Sequence, residues 1–120
     1  MPSRREIEHR RQKLHAQLRA LVYAPLMRGS IVERRRRCGS PRCACARDDA
    51  ARHPGKYLSV HLDGRTRVVH LRAEDEERVR AAIEAYERVW RIIDGLTACE
   101  LSQLRRDARQ RTRTRSSRGG

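Results

Sequence analysis

The chain has 120 residues, and its 38% hydrophobic content includes no Phe, so it has room for one domain with a thin, largely aliphatic core. Its net charge is +14, with a sequence pI near 11.3, an excess that favours nucleic acid or another polyanion as the partner. The sequence contains no run of about 18 apolar residues, which excludes a membrane span, and no secretory-type leader, so we expect a cytoplasmic protein.

The first predicted element is a helix that begins at a capping box. Ser3 is followed by Glu6, and Pro25 with Gly29 end the helical pattern, so we expect a helix to about Tyr23. Its apolar stripe is narrow, as in one partner of a helix pair, and consists of Ile7, Leu14, Leu18, Leu21 and Val22.

Three strands are predicted in the middle of the chain. Residues 30–34 form a strand candidate that leads into a cysteine-rich turn, and residues 56–62 alternate between apolar and polar side chains. Asp63 and Gly64 are a strong two-residue turn signal, which makes residues 56–71 a hairpin. The register then places Tyr57 on the face opposite Leu58, where a single aromatic ring could stack on a base but makes no platform.

The last predicted element is a long amphipathic helix over residues 74–108. Its acidic first turn suits the positive end of the helix dipole. Its predicted stripe consists of Val79, Ile83, Tyr86, Trp90, Ile93 and Leu96. Residues 110–120 have no apolar side chain, so we expect a basic tail that is disordered when unbound.

These elements predict a small α+β protein: an N-terminal helix, a three-stranded antiparallel sheet with a cysteine-rich turn, and a long C-terminal helix that pairs with the first. We expect one domain over residues 1–109. The pairing of the two helical stripes would occur within one chain or across a homodimer.

Three thiols lie close together in the turn at residues 38–45, and they predict a metal site. In a reducing compartment, clustered cysteines are more often metal ligands or free thiols than disulfides. Zinc prefers four thiolate or imidazole ligands, and the predicted set is Cys38, Cys43, Cys45 and His53. Cys99 is the rival fourth ligand. The C-x4-C-x-C spacing is not the common zinc knuckle, so three reduced cysteines without metal remain the alternative.

Positive charge is concentrated around this turn and at both ends of the chain. Guanidinium groups bind phosphate without reading base sequence, so this distribution predicts a nucleic-acid interface, with DNA favoured over RNA. The candidate residues are Arg34, Arg35, Arg36, Arg37, Arg42, Arg65, Arg67, Arg105, Arg106 and Arg109. All but two of the 29 basic residues are Arg, a bias that GC-rich coding could also produce. Such coding would not explain why basic residues outnumber acidic ones.

Four segments carry a family resemblance: residues 28–34 (RGSIVER), 38–45 (CGSPRCAC), 53–59 (HPGKYLS) and 63–67 (DGRTR). In this order they resemble an uncharacterised family of short prokaryotic proteins, a domain of unknown function associated with transposase-like neighbours, over about residues 5–105. Ser40 stands where that family has Lys, Ala44 stands where it has a basic residue, and one Tyr remains of several. The resemblance implies that this chain retains the Cys and His residues of the predicted metal site. It also implies a link to mobile elements.

The sequence therefore predicts a non-enzymatic nucleic-acid-binding protein with a zinc-bearing turn. The alternative is a helical adaptor that binds a partner protein and whose charge is incidental. A third option, an enzyme that uses the cysteines, has little support because the sequence has no organised His–carboxylate partner, Gly-rich phosphate loop or nucleophile elbow.

Overall fold

The computed structural model describes residues 1–119, and it has the predicted α+β architecture. The elements are α1 (Arg4–Leu21), β1 (Ser30–Arg36), β2 (His53–Leu62), β3 (Arg65–His70) and α2 (Ala73–Gly119). Two short 3₁₀ turns lie between β1 and β2. None of the helices in the described part of the chain has a stretch long and apolar enough to cross a bilayer.

The backbone divides into two compact units, one of residues 1–24 with 87–120 and one of residues 25–86. The helix α2 contributes to both, so the predicted single domain over residues 1–109 stays a prediction. Each unit has its own small set of buried side chains.

The first unit is a pair of antiparallel helices. The Oγ of Ser3 accepts a hydrogen bond from the backbone N–H of Glu6, as the capping box predicts. Further along, Arg11 Nε donates to Glu100 at 3.0 Å. A Cβ on Gly95 would lie 3.0 Å from a methyl group of Leu14, so the absence of a side chain at Gly95 lets the two helices approach closely.

The buried seam of this pair is not the predicted stripe of α2. Ile7 and Leu21 of α1 are buried with Ile92 and Cys99 of α2. Trp90 is 51% exposed, because it lies on the opposite side of α2 from the seam. The apolar periodicity was therefore right for a helix, and Val79 of the predicted stripe is buried in the second unit, but the residues of α2 buried in the helix pair lie on another face.

The second unit contains the antiparallel sheet, in the order β1-β2-β3. Leu62 pairs with Arg65 and Leu58 with Val69, which is the predicted register. At the hairpin turn Asp63 and Gly64 have φ of 53° and 75°, the left-handed conformation that a type I′ turn requires.

Tyr57 is buried in this unit, which corrects the expectation that it could stack on a base. Only 8% of its surface is exposed. The Arg36 guanidinium carbon lies 4.9 Å from the centre of its ring, and the His70 ring meets it edge-on at 5.4 Å. The ring is therefore covered by its neighbours and serves packing.

The C-terminal part of α2 also differs from the prediction. Residues 110–119, expected to form a disordered tail when unbound, continue the helix. The hydroxyls of Thr112 and Thr114 each donate to the carbonyl four residues earlier, at 3.0 and 2.9 Å, and no Pro interrupts the segment. Gly120, the last residue of the predicted tail, lies outside the described residues.

The buried seam predicts that Ile7→Ala destabilises the helix pair. Ile7 is 2% exposed, so truncation removes buried methyl groups and leaves a cavity, at a cost of ~2–5 kcal/mol. Val22→Ala, at a side chain that is 57% exposed, should change stability by less than about 0.5 kcal/mol. Urea unfolding followed by the fluorescence of the only Trp, Trp90, measures both. Equal effects of the two substitutions would contradict the assigned seam.

Candidate metal centre

The four predicted metal ligands come together at one end of the sheet. One ligand atom from each of Cys38, Cys43, Cys45 and His53 lies within 4.8 Å of the other three. Two of the separations are 3.5 Å, between the sulfurs of Cys38 and Cys45, and 3.2 Å, between Cys43 Sγ and His53 Nε2. Four ligands around a zinc ion stand ~3.3–3.8 Å apart, so little movement would be needed to hold one.

Strand register brings His53 to the cysteines. His53 is the first residue of β2, and it pairs directly with Arg36, the last residue of β1. Cys38 follows Arg36 by two residues. The ladder that joins β1 to β2 therefore places the imidazole beside the first thiol, although fourteen residues separate them in sequence.

Two turns in the chain between β1 and β2 bring the sulfurs of Cys43 and Cys45 to the site. Gly39 has φ of 82°, which a side chain would disfavour, and Cys43 N–H donates to the carbonyl of Ser40. A 3₁₀ turn over Ala44–Ala46 then points Cys45 inward, where it is completely buried. The backbone N–H of Cys38 donates to Cys45 Sγ at 3.4 Å.

Ion pairs hold the rest of this loop in place. Asp49 accepts from Arg37 at 2.6 Å and lies 3.1 Å from Arg52. Arg35 donates to the carbonyl of Ala50 at 3.3 Å. The hydrogen bond from Arg37 lowers the pKa of Asp49, with Arg52 adding to the effect, so this carboxylate stays ionised near neutral pH.

The site favours a thiolate at Cys43. Its pKa is lowered to about 6, first by a hydrogen bond from the backbone N–H of Cys45 and then by the Cys45 and His53 side chains. The pKa of His53 is raised, chiefly by its hydrogen bond to Cys43. A hydrogen bond from the backbone of Ser40 lowers the pKa of Cys38.

Cys45 behaves differently from the other two thiols. The N–H of Cys38 acts to lower its pKa, but desolvation and the neighbouring thiols outweigh that contribution, and the pKa is raised. The site therefore sets the Cys43 thiolate beside an imidazole whose protonated form is favoured and a buried thiol whose neutral form is favoured. A divalent metal would replace the protons on this set, because metal ligands bind in their deprotonated forms.

Cys99, the rival ligand, is not part of this cluster among residues 1–119. It is buried in the helix pair of the first unit. Apolar packing is an ordinary role for a free cysteine. The prediction that His53 is the fourth residue of the group therefore agrees with the geometry.

The predicted arginines of the second unit do not share one face of the sheet. On β1, Arg34 and Arg36 lie on the face of Tyr57, and Arg35 lies on the opposite face. Arg65 and Arg67 share the face of Arg35, because they pair with Leu62 and Val60. Arg37 and Arg42 belong to the loop between β1 and β2, residues 37–52, which we call the metal loop. Arg105, Arg106 and Arg109 belong to α2 in the other unit.

Sequence reasoning did not identify the contacts that occupy several of these guanidinium groups. Arg36 covers Tyr57, while Arg35 and Arg37 fasten the metal loop. The available signal was the pair Asp48-Asp49, since carboxylates close in sequence to an arginine run suggest a local ion pair, which Asp49 forms. All ten candidate arginines are nevertheless exposed except Arg106, which is half-buried.

The chain belongs to a family described as a domain of unknown function, DUF6788, whose model matches residues 4–81. That range includes α1, the sheet, all four residues of the metal cluster and the start of α2. The resemblance to an uncharacterised family is thus confirmed, while the prokaryotic origin and the transposase-like neighbours stay predictions. No curated protein and no solved structure matches the chain.

The lowered pKa of Cys43 predicts early alkylation in the metal-free protein. At pH 7 a thiol of pKa about 6 is mostly thiolate, whereas an ordinary thiol is not, and only the thiolate is the nucleophile. We expect modification of Cys43 by iodoacetamide, mapped by peptide mass spectrometry, to rise around pH 6. His53→Ala should move this rise to higher pH, because it removes one lowering hydrogen bond. A rise near pH 9 in the wild type would contradict the geometry.

Proposed function

We propose that this protein is a zinc-bearing, non-enzymatic nucleic-acid-binding protein, with DNA as the favoured ligand. The observation that carries the proposal is the convergence of three sulfurs and one imidazole at the end of the arginine-rich strand β1. The metal would fix the loop, and the adjacent guanidinium groups would hold the phosphate backbone.

The donor set supports zinc as the metal. Three thiolates and one imidazole are a common set for structural zinc, and soft sulfur ligands disfavour magnesium and calcium. When bound, zinc would supply a cross-link between the end of β1, the loop and the start of β2. The complete protein ligand set leaves no open position for substrate, which favours a structural site over a catalytic one.

Charge beside the metal loop supports phosphate contact in the second unit. Arg34 and Arg36 extend from one face of β1, an edge strand of the sheet, and Arg35 extends from the other. Arg42 lies in the metal loop itself. Guanidinium groups therefore project from both faces of the exposed sheet edge. A polyanion that runs along this edge could be bound from both faces, since each guanidinium group can donate two hydrogen bonds to phosphate.

A second basic surface on α2 supports the same function. Arg106, Arg109 and Arg113 line a cleft of about 170 Å³ in the first unit. Their spacing sets them along one side of the helix, while Asp107 lies on another side. Arg105 lies next to this side of the helix. These residues would add phosphate contacts without base specificity.

The adaptor function remains the second candidate, because one observation favours it. Ile93, Leu101 and Leu104 on α2 are 38%, 47% and 61% exposed. Large apolar side chains exposed along one helix face are typical of a protein-binding surface. Such a surface is compatible with nucleic-acid binding elsewhere on the chain.

Metal analysis tests the first half of the proposal. Protein purified without chelators should contain about one zinc per chain by mass spectrometry of metals. Cys43→Ser should lose the metal, and Cys99→Ala should keep it, because Cys99 lies outside the cluster. A wild-type protein that neither contains zinc nor takes it up in titration would end the zinc assignment.

Salt dependence tests the second half. Affinity for a labelled DNA duplex, measured by fluorescence anisotropy, should fall steeply between ~50 and ~200 mM salt, with a logarithmic slope of about −0.9 per phosphate contact. Replacing Arg34 and Arg42 together with Gln should reduce the slope by about 1.8 if each makes one contact. The matched control is Arg78→Gln, an exposed arginine already paired with Asp75.

Two results would count against this interface. Binding that is independent of salt would exclude phosphate contacts as its source. Binding that disappears on deletion of residues 105–120 alone, with the Arg34 and Arg42 variant unchanged, would assign the affinity to the C-terminal arginines and favour the adaptor.

A further inference from the structure

The helix α2 carries an exposed apolar stripe that its pairing with α1 does not use. Trp90 and Leu104 are 51% and 61% exposed, and Ile93 and Leu101 are 38% and 47% exposed. With Thr97, these residues fall within a ~80° sector of the helix, whereas the buried Ile92 and Cys99 project from the opposite side. We call Trp90, Ile93, Thr97, Leu101 and Leu104 the outer stripe.

The spacing of the outer stripe suits contact with another long helix. Leu101 follows Trp90, and Leu104 follows Ile93, after the same eleven-residue interval. Eleven residues make just over three whole turns, so the stripe stays on one side of the helix with little drift. Thr97 lies midway along it, and the arrangement of apolar residues is nearly symmetrical about that position.

We infer that the outer stripe binds the outer stripe of a second copy of this chain, with the two α2 helices antiparallel and crossing near Thr97. In this register Trp90 lies opposite Leu104 of the other copy, and Ile93 lies opposite Leu101. The contact is isologous, so both copies bury the same residues, and a closed dimer results.

Charge along α2 selects the antiparallel orientation. The segment 105–115 carries six Arg and one Asp, whereas residues 87–94 contain two acidic and two basic side chains. A parallel pair would set the two arginine-rich segments side by side, about 10 Å apart. An antiparallel pair centred on Thr97 separates Arg109 from its equivalent by ~36 Å, several Debye lengths at physiological salt.

The same orientation adds an attractive charge pair at each end of the stripe. Glu87 lies beside the stripe on the same side of α2 as Arg105 and Arg109. Antiparallel pairing centred on Thr97 brings Glu87 of one copy to the level of Arg105 and Arg109 of the other. Exposed pairs of this kind contribute modestly to affinity, but they discriminate against the parallel arrangement.

Sedimentation equilibrium on the full chain, treated with nuclease so that nucleic acid cannot bridge two copies, tests the inference. Over a range from low to several hundred micromolar, the mass should rise from the 14.0 kDa of one chain towards twice that value. The emission of Trp90 should shift to shorter wavelength over the same range, because dimerisation buries an indole that is half-exposed in one chain.

Substitutions on the stripe locate the surface. Ile93→Glu and Leu101→Glu should each lower the association constant at least tenfold, since each introduces a charge into the apolar contact at two related places. Val22→Glu is the matched control, because it adds the same charge at an apolar side chain that is 57% exposed and lies outside the stripe. Circular dichroism confirms that each variant keeps its helices.

Cysteine cross-linking determines the orientation. Thr97→Cys should form a disulfide dimer under mild oxidation, because the two Thr97 positions meet at the crossing point. Leu104→Cys should not, since its equivalent lies ~21 Å away in the antiparallel pair. The wild type measures the background from the native thiols.

Three results would overturn the inference. A monomer at every concentration would mean that another protein, or nothing, covers the stripe. A dimer that persists in both Glu variants would place the contact elsewhere. Cross-linking through Leu104→Cys as strong as through Thr97→Cys would establish a parallel pair.

Discussion

The loop between β1 and β2 in the second unit is organised around the convergence of Cys38, Cys43, Cys45 and His53. Packing alone would give this loop little support, because Cys45 is its one buried side chain and most of its residues are exposed. Its conformation is maintained by the four ligand side chains and by the ion pairs of Asp49. A metal at this point would neutralise charge that the clustered thiols otherwise develop.

The arginines serve two purposes that the sequence does not distinguish. Arg37 and Arg35 fasten the metal loop, and Arg36 covers the ring of Tyr57, so these guanidinium groups contribute to the fold. Arg34 and Arg42 are exposed and close to the same loop in sequence. The structural arginines would hold the loop in one conformation. The exposed arginines beside it would then be positioned to bind phosphate.

The helix α2 presents different chemistry on its two sides. One side, with Ile92, Gly95 and Cys99, packs against α1 or faces it closely, while the outer stripe is exposed. Beyond the stripe the helix becomes strongly basic. The proposed antiparallel dimer would bury the outer stripe and place a basic helix end at each extremity, so it would double the positive surface that one chain offers to a polyanion.

Local patterns in the sequence were sufficient for the α+β class, the capping of α1 by Ser3, the Asp63-Gly64 turn and the hairpin register, because each depends on neighbours in the chain. The grouping of the four candidate metal ligands was also predictable, since soft donors cluster around a turn and few alternatives exist. Tertiary structure alone decided which face of α2 packs against α1, whether Tyr57 is accessible and which arginines are occupied by Asp49. These outcomes depend on side chains distant in sequence: Leu14 selects the face with Gly95, and Arg36 and His70 cover Tyr57 only once the three strands are paired.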